Sequence, residues 1–313
     1  MKTREVAFYS MGEKVLGTIY LPDSIEEGEK LPCVIPCSGI TGLNALYPAL
    51  IARLLTKSGY ACLGFDYRGW GPSEGKPGYT TYCGEYEDIV ASYVFARQQP
   101  EIDGNNISLF GWGMAAPICI RVAADIPQIK SVACGNGYYN GERMLRVSLS
   151  RTEMEERLKK AEEERVKRAL TGTGEMTNIY NFSTPAEDSG ARSGYFEDTL
   201  SITRELTDVL EKCYGEGGKN YPPAHSWHFF DQTLRLDAEE YVKKVAPRGL
   251  FIAGSVRDAA YSYYESECIY KAAGEGRVLY TVDGTHNDWM FDDHPEFLKF
   301  GDALVRFYDA YMK

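Results

Sequence analysis

Between positions 107 and 124 an apolar, β-prone run (107–110) passes through Gly111-Trp112-Gly113-Met114-Ala115 into an apolar helical stretch (117–124). Two glycines one residue apart, between a buried strand and a buried helix, demand a sharp turn. That turn restricts the chain to folds in which a strand feeds directly into a helix packed on its own sheet. Further apolar β-rich runs occur at 32–36, 61–65, 130–134, 249–253 and 278–282, separated by helical stretches. Strands alternating with helices predict the α/β class, a mostly parallel sheet with helices on both faces. Residues 5–10 and 14–21 alternate instead, and predict an opening antiparallel hairpin around Met11-Gly12.

The alternation stops after about residue 137 and resumes near 237. This divides the chain into a core of 1–137 plus 237–313 and an insertion of 138–236. Within the insertion, 151–170 predicts a strongly charged, solvated helix with Glu155/Lys159, Glu156/Lys160, Glu163/Lys167 and Glu164/Arg168 at i,i+4 spacing. Residues 171–195 predict loop and 200–213 a second helix. The aromatic run at 221–230, with Trp227 and His228, is a candidate pocket wall.

The strand-turn-helix at 107–124 has the outline of a nucleophile elbow, the G-x-S-x-G turn that lifts a serine above the sheet. Here Gly113 occupies the nucleophile's place and has no side chain to attack with. With Gly64-Phe-Asp-Tyr-Arg-Gly-Trp-Gly-Pro-Ser-Glu-Gly75, Ala253-Gly-Ser-Val-Arg-Asp258 and Asp283-Gly-Thr-His286, the chain resembles the α/β-hydrolase fold along almost its whole length. The resemblance is strongest to the dienelactone-hydrolase-like and cocaine-esterase/X-prolyl-peptidase-like branch. It implies that the insertion is a helical cap, that Asp258 and His286 are the acid and base of a triad, and that the backbone N–H groups of Met114 and Ile40 form an oxyanion hole. Ser38 stands where the family often has a histidine. Ser38 and Cys37 are the best substitute nucleophiles at the pocket mouth, and Ser38, Trp112, Trp227 and His228 are candidate substrate contacts. The structural alternatives are a capping role for Asp258, a loop hydrogen bond for His286, a tight turn at Gly39 and Gly42, and a first helical turn at Met114.

Composition narrows the partners. A net charge of −11 argues against nucleic acid and anionic membranes, which need a basic face. No apolar stretch reaches the roughly 18 residues of a membrane span, and the first residues lack a signal peptide's apolar run. Eight cysteines without paired spacing predict reduced thiols, those at 33, 62, 119 and 134 buried, in a cytoplasmic protein. His225 and His228, or His294 beside Asp292 and Asp293, do not supply a convergent metal-ligand set. Gly-Trp-Gly lacks the remaining features of a dinucleotide fingerprint. No cofactor is expected; the expected partner is a small molecule, with a homodimer left open.

Without a serine, the retained dyad could activate water, or take a proton from substrate, while the N–H groups hold an enolate or tetrahedral oxyanion. Ester or C–C hydrolysis by water, decarboxylation, other lyase chemistry and cyclisation all fit. A second reading is an ordinary serine esterase whose nucleophile was exchanged for glycine, although Ala115 also departs from the family's second glycine. A third is a non-catalytic receptor that uses the capped pocket.

Overall fold

The computed structural model describes residues 1–176 and 226–313. One eight-stranded sheet has the order β1-β2-β4-β3-β5-β6-β7-β8. Its strands are β1 (Lys2–Ser10), β2 (Glu13–Leu21), β3 (Leu31–Cys37), β4 (Ala61–Phe65), β5 (Ile102–Trp112), β6 (Ser131–Gly135), β7 (Gly249–Ser255) and β8 (Arg277–Val282). The β1/β2 hairpin and the β2/β4 pair are antiparallel, and β4 through β8 run parallel. Both the parallel sheet and the opening hairpin match the sequence expectation. The strand starts and ends differ by a few residues, because ladder bonds continue past the apolar runs.

Helices α1 (Tyr47–Thr56), α2 (Tyr82–Ala96), α3 (Ala115–Asp125), α7 (Tyr263–Ala272) and α8 (Pro295–Met312) belong to the core. Local chemistry explains their ends. Thr81 accepts the Gly84 N–H at the start of α2, and His294 accepts the Glu296 N–H before Pro295 opens α8. Along α8, Phe297, Phe300, Leu304, Phe307 and Tyr308 recur every three or four residues and are buried, giving a single apolar stripe against the sheet. Buried Tyr308 donates its hydroxyl to the Leu109 carbonyl at 2.9 Å, tying this last helix to β5.

Between β6 and β7 the described residues form helices α4 (Gly141–Ser148), α5 (Arg151–Thr171) and α6 (Trp227–Leu234). The loop and helix expected within 177–225, and the first half of the aromatic run, lie outside the described residues. Helix α5 opens with a Ser150/Glu153 capping box and closes at a left-handed Gly172. Its charges pair differently from the expectation. Among the described residues the four anticipated i,i+4 pairs are not formed; Lys160 and Lys167 converge on Glu175, while Arg165 and Arg168 reach buried Asp231 on α6. With Met154, Ala161 and Glu164 buried, α5 is docked through part of its surface. Tertiary carboxylates outcompete pairs worth a few tenths of a kcal/mol each.

The seven cysteines among the described residues are free, and Cys33, Cys62, Cys119 and Cys134 are buried with thiols pushed up by desolvation. No helix among the described residues is long and apolar enough to cross a membrane.

Phe300 packs edge-on against Phe110, Phe251, Tyr280 and Trp289. Phe300→Ala is expected to lower the unfolding free energy by about 3–5 kcal/mol, read from urea denaturation.

Candidate active site

Strand β5 ends at Trp112, and the chain reverses into α3 within two residues. Gly113 has φ +54°, a left-handed conformation that side-chain-bearing residues adopt at a cost. Its N–H donates to the Gly135 carbonyl at 2.8 Å, fixing the turn to the end of β6. Two residues earlier, a Cβ on Gly111 would sit 2.7 Å from the Ala115 carbonyl oxygen, so helix and strand meet at a distance only glycine permits. At Gly113 itself there is room. A Cβ there would come no closer than 3.7 Å to the Tyr261 ring and 4.0 Å to the Asn136 carbonyl oxygen.

The loops after β7 and β8 deliver Asp258 and His286. His286 Nδ1 lies 2.7 Å from Asp258 Oδ2. A carboxylate only accepts, so Nδ1 carries the proton of this bond and Nε2 is the ring nitrogen left facing away from Asp258. Asp258 Oδ1 accepts the Ala260 and Tyr261 N–H groups, each at 2.8 Å. No helix starts at 259–261: the next helix is Tyr263–Ala272, capped by Ser262, so the Asp258 Oδ1 bonds close a turn and not a helix cap, while Oδ2 faces His286. The Asp258 side chain is 1% exposed and that of His286 11%.

Two residues bring position 113 and His286 together. Tyr261 touches the vacant Cβ position of residue 113 and stands edge-on to the His286 ring, with centroids 5.0 Å apart. Asn136 places its carbonyl against the same vacant position and donates from Nδ2 to the His286 carbonyl at 2.7 Å. Neither residue was singled out by sequence reasoning. The one available signal for Asn136 was its place in Gly135-Asn-Gly137, at the end of a strand.

The Met114 side chain is fully buried, and its backbone is already helical at the cap of α3. Ile40 lies in the turn closed by the Gly42 N–H to the Gly39 carbonyl at 3.0 Å. Gly39 packs on the end of β5, its Cβ position 3.1 Å from the Trp112 carbonyl oxygen. Among the described residues neither the Met114 nor the Ile40 N–H has an acceptor. Ser38 and Cys37 are buried rather than lying at an open mouth. The Cys37 thiol points to the Ile35 carbonyl, and the Ser38 hydroxyl has no partner among the described residues.

Trp112 is 1% exposed, stacked on Tyr47 and set against both Trp289 and His286; it walls the imidazole from behind. Trp227 and His228 sit on α6. Trp227 packs edge-on to Phe230, and the His228 nitrogens engage the Tyr79 hydroxyl and Gln232. Burial and then Arg168 hold the His228 pKa below its ordinary value. A cavity of about 900 Å³ opens on that side, lined by Trp70, Tyr79, Tyr82, Arg235 and Tyr241. Gly113, Asp258 and His286 do not line it, so the dyad geometry, not this cavity, marks the candidate site.

The loop after β4 is pinned at both ends. Arg68 binds Asp88 of α2 at 2.5 Å, and Asp66 accepts the Asn44 N–H at 2.9 Å. Burial, with Glu5 adding to it, raises the Asp66 pKa to about 7 despite that hydrogen bond. The folded state thus keeps this proton to higher pH than the unfolded chain. The group's stabilising contribution is complete below about pH 4 and is lost as pH rises through about 7. Asp66→Asn is expected to flatten the decline in stability between about pH 5 and about pH 8, with its largest relative gain at the upper end, measured by urea midpoints.

A family model described as alpha/beta hydrolase fold matches residues 32–162. The chain is 24% identical over 291 residues to an uncharacterised 31.7 kDa protein of the traX-finO intergenic region of Escherichia coli, covering 91% of this chain and 92% of that one. Over 121 residues it is 30% identical to the thiohydrolase aneE of Aspergillus aculeatus, 38% of this chain and 36% of the other. The crystal structure of hypothetical protein PA2218 from Pseudomonas aeruginosa superposes with a TM-score of 0.79 at 22% identity, covering 99% of this chain and 94% of that one. Sheet order, elbow and these likenesses agree: the chain has the α/β-hydrolase fold.

Proposed function

We propose that this chain is a hydrolase of small esters or thioesters that uses water in place of a serine nucleophile. The observation that carries the reading is the 2.7 Å His286–Asp258 hydrogen bond beside a left-handed, side-chain-free Gly113. A missing hydroxymethyl group leaves a few tens of Å³ at the attack position, of the order of the about 30 Å³ that a water takes up. His286 Nε2 would take a proton from that water as its oxygen adds to the substrate carbonyl. The resulting oxyanion would accept from the Met114 and Ile40 N–H groups. On collapse the carbon–oxygen or carbon–sulfur bond breaks, and the imidazolium returns the proton to the leaving group. The products are a carboxylic acid and an alcohol or thiol, with no acyl-enzyme. The partial likeness to a thiohydrolase supports including thioesters.

A second reading is favoured by the open space at Gly113, where a Cβ meets nothing closer than 3.7 Å: a serine fits there, as in an ordinary serine esterase. Stopped-flow assays on p-nitrophenyl esters and short acyl thioesters separate the two. On the water reading, wild type turns over without a burst, His286→Ala loses about 10²–10⁴ of the rate, and Gly113→Ser introduces a burst. Wild type indistinguishable from buffer, beside an active Gly113→Ser esterase, would establish the second reading. Unchanged turnover in His286→Ala would overturn both.

A further inference from the structure

Among the described residues, Met11 and Asn136 alone adopt positive φ without being glycine. Met11 serves the β1/β2 turn. Asn136, at φ +42°, stands at the carboxyl end of β6 between the elbow and the dyad, and is 2% exposed. Asparagine tolerates this conformation better than most residues, yet glycines flank it on both sides, so backbone shape alone does not call for an amide here.

The side chain supplies the reason. Its Oδ1 accepts the Ser255 N–H at 2.9 Å and lies 3.1 Å from the Ser255 hydroxyl. Its Nδ2 donates to Ser255 Oγ at 2.9 Å and to the His286 carbonyl at 2.7 Å. Ser255 Oγ also accepts from Trp289 Nε1 at 2.9 Å, and the Asn136 N–H donates to the Ala253 carbonyl. Both oxygen lone pairs and both amide hydrogens are used, so this buried amide is fully satisfied. Ser255 ends β7, and its carbonyl accepts the Asp258 N–H. One side chain therefore clamps the strand end that carries the acid and the backbone that carries the base, while the backbone carbonyl of Asn136 faces position 113.

We infer that Asn136 is the positioning residue of the dyad, an amide latch that holds His286 in register with Asp258 above Gly113. This rests on reading His286 and Asp258 as base and acid. Asn136 touches no substrate atom in this role and acts through the His286 backbone.

The test uses the full chain labelled with ¹⁵N-histidine, whose four histidines give a tractable spectrum. Wild type should show a neutral His286 ring protonated at Nδ1, with that proton slow to exchange. Asn136→Gly keeps the left-handed backbone and removes the amide. It should speed Nδ1 proton exchange about tenfold, the loss expected from one buried hydrogen bond, and mix the two ring tautomers. Asn136→Asp keeps the oxygen that accepts from Ser255 but sets a second oxygen against the His286 carbonyl; it should behave likewise, and provides the test if Asn136→Gly does not fold. Ser255→Ala removes the hydroxyl but leaves the bond to His286. It should lower Tm while preserving the His286 signal, whereas a merely structural role would make the Ser255 and Asn136 variants alike. An unchanged His286 signal in a folded Asn136 variant overturns the latch and leaves the proposed reaction standing. An intact signal in a protein without turnover overturns the reaction and leaves the latch. A wild type lacking an Asp258-bonded Nδ1 proton overturns both.

Discussion

Everything at the candidate site hangs on the left-handed turn at Gly113. To bring the end of β5 against the start of α3, the backbone must pass through φ +54° and run Gly111 beneath the Ala115 carbonyl. The cost of such a turn for an ordinary residue is of order 1–3 kcal/mol; glycine removes most of it. The bend therefore survives here without the side chain whose presentation it usually serves. Because its N–H is bonded to the Gly135 carbonyl, the turn also sets where β6 ends and hence where Asn136 begins. From Asn136 the constraint passes to Ser255 and His286. The site is one continuous set of strand-end contacts, and its parts are not independently adjustable.

How much of this could be read from the sequence depends on the range of the interaction involved. Strand positions, the opening hairpin and the strand-turn-helix were legible because burial periodicity and glycine placement are local signals. Asp258 and His286 were legible through the loops that resemble a known fold. Asn136 and Tyr261 were not, because their roles exist only when β6, β7 and the loop after β8 are side by side; nothing within a few residues of either predicts contact with His286. The charges of α5 show the same limit. Spacing within the helix pointed to internal pairs, yet Lys160 and Lys167 chose Glu175, and Arg165 and Arg168 chose Asp231, in partners 8 to 66 residues away. Trp112, which looks from its motif like a pocket residue, is largely a wall, because the strand's alternation turns it toward Tyr47 and Trp289.

The His286–Asp258 pair beside a glycine at position 113 has an energetic logic that favours the proposed role for it. A buried histidine bonded to a buried carboxylate needs its partners; left alone, each polar group costs roughly 1–3 kcal/mol. A chain that had lost all use for the pair would gain by replacing both with apolar residues. Here the pair is instead elaborated: three N–H donors converge on Asp258, Tyr261 and Trp112 confine the His286 ring, and Asn136 holds its backbone. Precision of this kind is what the proposed proton transfer would require, since a general base must lie within hydrogen-bond reach of the proton it takes.

On the proposed reading, a glycine where the elbow otherwise carries serine would shift where the free energy goes. A serine hydroxyl is delivered by the fold with its position already fixed, at the cost of strain in the turn. A water in the same place leaves the turn relaxed but must be immobilised for each reaction, at about 0–2 kcal/mol. The two penalties are of similar size and opposite placement, one on folding and one on turnover. What the glycine form gives up is the covalent intermediate, which divides one hard step into two easier ones. What it would retain, on that reading, is direct attack by water in which no acyl group is left on the protein. The proposed reaction would therefore suit substrates whose carbonyl is already activated, thioesters above all, because direct attack by a dyad-activated water would there have the least barrier to overcome.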